Sequence, residues 1–353
     1  MFKESPHISV PPHDHKSDAR QKRVREARLP LQWLRQFMSS LDLTQPLVFE
    51  PILMDRIWGG RRLETEFGKR LPAQRKIGES WEIADRPEAQ SMVRSGPLQG
   101  RTLHDLWIKH RAEIFGPVPD APRFPLLIKL LDAREKLSLQ VHPPEKVAKK
   151  LGGEAKTEFW YVARADPGAA LFVGLNEASN AEEFQRSISD GTIAGRIHTI
   201  PVKAGDAMFL PAGRFHAIGA GNLLVEVQQN SDTTYRVFDW DRTDDSGKSR
   251  QLHIEQALQS INFNDCRPSL IKPQGEVLAA HELFEVRKWT IDAPRDVTGH
   301  EQFAIVCLLE GAANLSGVHL RPGAFCLVPA QAVDRVVTPL VRPTSLLRIT
   351  IPG

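Results

Sequence analysis

The sequence predicts a mainly β protein with two β barrels in tandem and a few helices on their outside. The first observation behind this fold class is that short apolar or alternating stretches, bounded by Gly, Pro and Asp, recur along the chain. The second is that helical patterns are fewer than strand patterns. The third is a short segment that occurs twice in similar form, which indicates two copies of one barrel.

The expected strands are short and begin after Pro46, where the folded part of the chain starts. Their clearest patterns lie at residues 91–93, 126–131, 170–173, 207–210 and 223–227. Helical periodicity predicts helices over residues 103–114, 144–151, 181–193 and 254–261, and a further helix over residues 19–41. Since the helical patterns are scattered between strands, we expect the helices to pack outside a β core.

The repeated segment runs from Lys203 to Ala212 and again from Arg321 to Ala330. Each copy reads as a basic residue, a Gly turn, an apolar strand and a Pro turn. Continuing the alignment places His216 of the first copy opposite Asp334 of the second, and no cluster of His and Glu accompanies the second copy.

Composition excludes several classes of protein. The 353 residues carry a formal net charge of only +3, with Lys and Arg spread along the chain, so we expect no nucleic-acid partner. The cysteines Cys266, Cys307 and Cys326 are too few for a disulfide framework, which favours a reducing compartment. No apolar run approaches the length of a membrane span. The sequence therefore predicts a cytoplasmic protein without a membrane partner.

The most informative segment is residues 137–142. Strict alternation places Ser138, Gln140 and His142 on one face of a strand, which in a barrel would point into the lumen. An edge strand with its polar face in water explains the same alternation. Two further candidates are Glu158, at the start of another strand, and His216, just after a strand and a Pro/Gly turn.

Together these residues form a potential metal site. Gln140, His142, Glu158 and His216 would supply two nitrogen and two oxygen ligands, a set suited to zinc with room for water or a substrate oxygen. Manganese or iron would accept the same ligands, and a histidine taken alone is more often a structural imidazole.

A third strand adds polar groups near the same place. Residues 224–230 put Glu226 on one face opposite Val225 and Val227, and the chain continues to Asp232 and Arg236. Arginine and lysine bind phosphate, while carboxylates and amides hold hydroxyl groups, so an anionic polyol would fit. A surface strand followed by a side-chain-capped turn is the alternative.

At these residues the sequence resembles the type I mannose-6-phosphate isomerases, in particular their short bacterial branch. The matching motifs occur in family order and are Arg56-Ile-Trp-Gly-Gly60, Gly78-Glu-Ser-Trp-Glu82, Leu139-Gln-Val-His-Pro143, Lys156-Thr-Glu-Phe-Trp-Tyr161, Pro211-Ala-Gly-Arg-Phe-His-Ala-Ile-Gly219 and Gln228-Gln-Asn-Ser-Asp-Thr-Thr-Tyr-Arg236. The match covers roughly residues 46–261 and fades through the C-terminal part. Several motifs in order are far more specific than any one of them.

The resemblance implies a cupin (jelly-roll) barrel, one zinc ion per chain, and reversible conversion of mannose 6-phosphate to fructose 6-phosphate through an enediolate. It carries the role of zinc ligand to Gln140, His142, Glu158 and His216. It makes Arg236 the active-site arginine and gives Ser138 and Lys156 contacts with the substrate. Glu226 and Asp232 fall at polar pocket positions, and we expect Glu226 or Lys156 to shuttle the proton with Asp232 in support.

The same reading divides the chain into three parts. Residues 1–45 would be an extension, disordered apart from a possible short helix. Residues 46–262 would be the catalytic metal-binding barrel with helical insertions, and residues 263–353 a degenerate barrel without metal. A monomer or weak homodimer that acts on a small sugar phosphate is expected.

Three alternatives keep a cupin barrel but change the function. An iron dioxygenase would also place His and Glu on barrel strands, although it leaves Lys156 and Arg236 without a phosphate to bind. A different sugar-phosphate isomerase would use the same ligands. A sugar-binding cupin without catalysis would have lost metal ligands, whereas the set of candidate ligands in the first barrel is intact.

Overall fold

The stretches of alternating and apolar residues after Pro46 form the strands of four antiparallel sheets. The computed structural model describes residues 41–243, 246–299 and 301–352. The predicted helix over residues 19–41 and most of the extension at 1–45 therefore lie outside the described residues.

Two sheets face each other to form the first barrel. Its strands are β1 (Ile52–Gly60), β2 (Ile77–Ile83), β3 (Leu126–Ala133), β4 (Leu139–Val141), β5 (Glu158–Ala165), β6 (Ala170–Leu175), β7 (Ile197–Pro201), β8 (Ala207–Leu210), β9 (His216–Ile218), β10 (Asn222–Gln229) and β11 (Tyr235–Phe238). The larger sheet has the order β1-β2-β3-β10-β5-β8, and the smaller sheet has the order β11-β4-β9-β6-β7.

The second barrel repeats this arrangement with fewer strands in each sheet. Its strands are β12 (Val277–His281), β13 (Phe284–Ile291), β14 (Arg295–Asp296), β15 (Ala304–Glu310), β16 (Ala313–Leu315), β17 (Val318–Leu320), β18 (Phe325–Val328), β19 (Val336–Pro339) and β20 (Thr344–Thr350). The sheet orders are β12-β13-β20-β15-β18 and β14-β19-β16-β17. The prediction of a mainly β fold with two barrels in tandem is confirmed.

The helices are short and lie between strands. They are α1 (Arg62–Thr65), α2 (Leu103–Lys109), α3 (Arg111–Phe115), α4 (Glu145–Leu151), α5 (Ala181–Ser189) and α6 (Ile254–Ser260), with a 3₁₀ turn at Ile193–Gly195. The single helix predicted over residues 103–114 is divided because His110 leaves the helical region, at φ −136° and ψ 31°. In the strand predicted at residues 91–93, Met92 and Val93 form only isolated bridges.

The repeated segments occupy equivalent places in the two barrels. Residues 207–210 form β8 at the edge of the order β10-β5-β8, and residues 325–328 form β18 at the edge of the order β20-β15-β18. The partners differ: Glu158 of β5 faces Leu210, whereas Ala304 of β15 faces Val328. Since Ala304 replaces the carboxylate, the second barrel lacks this potential metal ligand.

Apolar side chains fill the molecule in layers. One buried cluster, which includes Trp160 and Leu224, lies inside the first barrel. Another lies between the barrels, where Val225 and Val227 on the outer face of β10 pack in the same cluster as Leu347 and Ile349 of β20. Because the larger sheet of the first barrel is covered on both faces, its central strands are buried throughout and hold the polar residues among them in fixed positions.

Two further observations concern the expectations from composition. All three cysteines are free thiols. In the described part of the chain, no helix has both the length and the apolar character needed to span a membrane.

Candidate active site

The four predicted metal ligands come from both sheets of the first barrel. Gln140 lies in β4 and pairs with His216, the first residue of β9. His142 directly follows β4, and Glu158 is the first residue of β5 in the facing sheet. The closing of the two sheets therefore brings together residues that are far apart in the sequence.

Three of these side chains meet closely in the barrel interior. Nε2 of His142 is 3.3 Å from Oε1 of Glu158, and Nε2 of His216 is 3.6 Å from Oε2 of the same carboxylate. The Nδ1 atoms of the two imidazoles lie 2.9 Å from the backbone carbonyl oxygens of Thr233 and Arg214. Because a carbonyl oxygen only accepts, each Nδ1 donates a proton, and each Nε2 lone pair is directed to the glutamate.

The cluster fits a divalent metal ion. The three ligand atoms lie within 4.8 Å of one another, and the residues are 1–2% exposed. Nε2 of His142 and Oε2 of Glu158 are buried without a hydrogen-bond partner, which is costly unless another group satisfies them. Two imidazole nitrogens and a carboxylate are the ligands that zinc and similar cations prefer.

Gln140 can supply a fourth ligand if its side-chain amide group is turned by half a rotation. Its Oε1 accepts a hydrogen bond from Oγ of Ser138 at 3.2 Å, while its Nε2 lies 3.4 Å from Nε2 of His216. Turning the amide by half a rotation would direct the oxygen toward the cluster and let the NH₂ group donate to Ser138.

Charge around the cluster is arranged to keep the carboxylate ionised. Burial by itself would raise the pKa of Glu158, but Lys156, His142 and His216 hold this pKa well below its ordinary value. Nζ of Lys156 is 2.9 Å from Oε1 of Glu158, and although burial lowers its pKa, Glu158 and Glu226 raise that pKa above the ordinary value. Burial and the neighbouring His142 lower the pKa of His216 to about 3, so its imidazole is neutral at pH 7.

A cleft of about 460 Å³ opens beside the cluster. The residues that were predicted to bind or convert the substrate line it, namely Ser138, Lys156, Glu226, Asp232 and Arg236, and the predicted metal ligand Gln140 lines it as well. Arg236 lies in β11, and its Nε donates to Oγ of Ser138 at 3.2 Å. Among the described residues, no carboxylate forms an ion pair with Arg236, so its charge remains available to an anion in the cleft.

The structure adds a network of charges that the sequence did not predict. Glu226 is 3.1 Å from Nζ of Lys129, the residue opposite it on β3, and accepts a hydrogen bond from the indole of Trp160 at 2.9 Å. Lys129 also approaches Glu79 at 3.9 Å, and Glu79 binds Arg56 through both carboxylate oxygens at 2.8 and 3.1 Å. Burial would raise the pKa of Glu79, but Lys129 and Arg56 lower it to about 2.

Signals for this network were present in the sequence. Arg56 and Glu79 belong to two of the family motifs, and Lys129 is the single charge in the apolar stretch at residues 126–131. Arg250 and His253 at the rim of the cleft had no such signal, because they come from the segment between β11 and α6. The ring Nδ1 of His253 accepts from the backbone N–H of Arg236 at 3.3 Å, which holds this segment against β11.

Two positions differ from simple alternation, which would place Leu137 on the same face as Leu139 and Val141, and Asn230 on the same face as Glu226. Leu137 joins the apolar cluster inside the barrel, whereas Leu139 and Val141 pack on its outer face, because β4 begins only at Leu139. Asn230 binds the backbone carbonyls of Asp85 and Phe124 and does not line the cleft.

Comparisons with known proteins agree with the resemblance. The model of the family described as phosphomannose isomerase type I, catalytic domain, matches residues 47–168. A probable mannose-6-phosphate isomerase, GmuF, of Bacillus subtilis is 39% identical over 82% of this chain and 95% of its own length. A mannose-6-phosphate isomerase of Streptococcus mutans is 39% identical over 81% of this chain and 93% of its own.

A solved structure gives the same result for the fold. The crystal structure of the mannose 6-phosphate isomerase from Bacillus subtilis superposes with a TM-score of 0.77 and 34% identity, covering 87% of this chain and 99% of that one. With relatives this similar over nearly their whole length, the chain belongs to the type I mannose-6-phosphate isomerase family of enzymes.

Proposed function

We propose that the chain catalyses the reversible conversion of mannose 6-phosphate to fructose 6-phosphate, and that it uses one zinc ion held by His142, Glu158, His216 and Gln140. The observation that carries this proposal is the cluster of His142, Glu158 and His216, in which two buried atoms have no hydrogen-bond partner among the described residues. It lies beside a cleft lined by Arg236, with which no carboxylate in the described part of the chain forms an ion pair. When bound, the metal ion would polarise the substrate carbonyl and stabilise the negative charge that develops on its oxygen.

The distribution of charge suggests how a sugar phosphate is oriented. Arg236 and Arg250 line the cleft, and Arg236 lacks a carboxylate partner among the described residues. The phosphate would bind at this arginine end, since a guanidinium donates two parallel hydrogen bonds to phosphate oxygens. The sugar would then extend toward Gln140 and Lys156, which places the reacting carbons beside the cluster.

The conversion needs a group that moves one proton between C2 and C1. The base removes the C2 proton from the aldose, which gives an enediolate with its charge on the C1 oxygen, or an enediol once that oxygen gains a proton. The base then returns its proton to C1 while the C2 hydroxyl loses a proton, which balances the proton gained by the C1 oxygen and leaves the C2 carbonyl of the ketose. Lys156 is a poor base because Glu158 and Glu226 raise its pKa. We assign Lys156 the role of a proton donor to a substrate oxygen, and we assign Glu226 the role of the base. Asp232 is exposed at the cleft and would orient a hydroxyl group.

The rival functions fit less well. A dioxygenase would give Arg236 and Lys156 no phosphate group to bind. This function is also inconsistent with the isomerase family to which the chain belongs. A sugar-binding protein without activity would not need a buried carboxylate that is kept ionised next to neutral imidazole.

The experiment that tests the proposal is an assay of fructose 6-phosphate formation by purified protein before chelation, after chelation and after zinc is restored. We expect activity to disappear on chelation, and zinc to bind at one ion per chain by elemental analysis and to raise the unfolding temperature. His142→Ala should lose both the bound zinc and the activity.

His319→Ala, which changes an exposed histidine in the second barrel, is the matched control and should behave as the wild type. A folded protein that binds one zinc ion but does not turn over mannose 6-phosphate would refute the assigned reaction. Equal activity in the chelated and metal-loaded proteins would refute the proposal that the reaction depends on a metal ion.

A further inference from the structure

The second barrel has a cavity of its own, although its described residues include no counterpart of the cluster of His142, Glu158 and His216. A space of about 570 Å³ opens at its mouth. Charged and polar side chains from β13, β20 and the segment after β14 line it, among them Glu285, Arg287, Trp289, Thr298 and Arg348. A barrel that served only as a support for the first would be expected to fill this position with apolar side chains.

The strand registers show which residues of the first barrel these side chains replace. Glu226 faces Lys129 on one neighbouring strand and Trp160 on the other. At the equivalent place, Arg348 faces Arg287 on β13 and Val306 on β15. The lysine–glutamate pair of the first cleft is thus replaced by two opposed arginines, so the charge at this position of the barrel has changed from neutral to positive.

These two arginines share one nearby carboxylate. Arg287 binds Glu285 at 2.7 and 3.1 Å, whereas Arg348 reaches the same carboxylate only at 3.4 Å. The remaining bond of Arg348 in the structure is from Nε to the carbonyl oxygen of Val297 at 2.7 Å. Since the Arg348 side chain is only 11% exposed and like charges on directly opposed strand residues repel, this cation is poorly compensated.

Two residues that line the same cavity, Trp289 and Thr298, carry buried hydrogen-bonding atoms without partners. Oγ1 of Thr298 and Nε1 of Trp289 have no hydrogen-bond partner among the described residues, although both residues are at least nine-tenths buried. The indole N–H lies near the Glu276 carboxylate without a hydrogen bond of normal geometry, and both oxygens of that carboxylate already accept from Arg295 at 2.6 and 2.8 Å. The indole N–H of Trp289 and the hydroxyl group of Thr298 can both act as hydrogen-bond donors, which is what an oxyanion requires.

The other acidic group in the cavity is also engaged. Asp296 accepts from the backbone N–H of Thr298 at 2.9 Å and pairs with Arg335 at 3.4 Å. A buried guanidinium, an indole N–H and a hydroxyl group therefore remain for a ligand, and together they match the several acceptor oxygens of a phosphoryl group.

We propose that the mouth of the second barrel is a second binding site for a phosphoryl group, held by Arg348, Trp289 and Thr298. The ligand is inorganic phosphate or a small phosphate monoester. The site is separate from the cleft of the first barrel and does not depend on the reaction assigned to that cleft.

A local reporter tests this proposal. The indole N–H signal of Trp289 is identified in NMR spectra of the full-length, metal-loaded protein by its loss in Trp289→Phe, and it is then followed during titration with inorganic phosphate or fructose 6-phosphate. We expect a saturable shift of this signal. Arg348→Met should weaken binding at least tenfold, and Thr298→Val should weaken it roughly threefold to tenfold.

Arg321→Met, which changes an exposed arginine of the same barrel outside this cavity, should leave the affinity unchanged. Tighter binding of fructose 6-phosphate than of phosphate would identify a monoester as the ligand, and the reverse would identify the free ion. The proposal is wrong if neither compound shifts the Trp289 signal, if malonate binds more tightly than both, or if Thr298→Val and a folded Arg348→Met bind like the wild type.

Discussion

Glu226 is the residue on which the proposed proton transfer depends. It lies in the middle of β10, with its residue 3% exposed, yet it lines the cleft. One carboxylate oxygen accepts the indole proton of Trp160, while Oε2 is buried without a hydrogen bond and is 3.1 Å from Lys129. A carboxylate that Trp160 and Lys129 hold in a fixed position at the cleft is suited to take a proton from carbon, because little must be reorganised first.

Glu226→Gln keeps the shape of this side chain and removes its basicity. We expect kcat for mannose 6-phosphate to fall by about 100- to 10,000-fold, the range that general acid–base groups contribute. Zinc content and KM should change little, since the metal cluster and the arginine end of the cleft are untouched. Steady-state kinetics together with elemental analysis measure these quantities.

Glu145→Gln, at an exposed ion pair with Lys149 on α4, is the matched control and should have wild-type kinetics. If Glu226→Gln retains more than about a tenth of the wild-type kcat with zinc bound, Glu226 is not the base. Lys156 or Asp232 would then become the candidate.

At the scale of strands, the sequence predicted more of the cluster of His142, Glu158 and His216 than of its surroundings. Strict alternation is a local property, so Gln140 and His142 could be placed on one face of β4 from the sequence alone. The family motifs then connected them with Glu158 and His216, which no local pattern could do. The pairing of Gln140 with His216 across β4 and β9 required the folded barrel.

The part of the cleft formed by β1 could not be predicted from alternation. The pairing of β1 with β2 is interrupted, because Asp55 and Gly60 both face Ile77. The residues between them leave the regular register, and this irregularity directs Arg56 and Trp58 into the cleft. Bulges of this kind depend on tertiary packing and leave little trace in hydrophobic periodicity.

This irregular strand needs a glycine opposite it. A Cβ atom on Gly78 would lie 2.6 Å from Cβ of Arg56 and 2.6 Å from Cζ3 of Trp58, which is too close for either to remain in place. We expect Gly78→Ala to displace Arg56 from Glu79, to lower kcat/KM by about tenfold, and to destabilise the fold by about 1–3 kcal/mol. Kinetics and urea unfolding measure both effects.

Gly195→Ala serves as the comparison for this substitution, since a Cβ atom there would meet nothing within 4 Å. Its kinetics and stability should match the wild type to within about 0.5 kcal/mol. Wild-type kinetics in Gly78→Ala would show that the close approach of β1 and β2 does not position the cleft.

At the scale of the whole molecule, the two barrels share one apolar core. The cluster between them includes residues of β3, β5 and β10 from the first barrel and of β13, β15 and β20 from the second. Backbone pairing also crosses the boundary, because Leu47 exchanges hydrogen bonds with Leu327 at 2.8 and 2.9 Å. The division into parts at residues 46–262 and 263–353 remains a prediction, and this shared core implies that neither part is stable alone.

Phe303, just before β15 of the second barrel, packs against two aromatic residues from the segment between β2 and β3 of the first. It is 1% exposed, and its ring centroid lies 5.5 Å from that of Phe115 and 6.0 Å from that of Phe124. Phe303→Ala should cost about 3–5 kcal/mol, since it removes a buried aromatic ring and leaves a cavity. With a shared core, loss of isomerase activity and loss of tryptophan fluorescence should move together to lower urea concentration as one transition.

Val333→Ala, at a side chain that is 86% exposed, should leave the midpoint unchanged. If Phe303→Ala instead separates the two transitions, so that activity survives after the second barrel has unfolded, the barrels are independent folding units and the shared core is not what holds the active site.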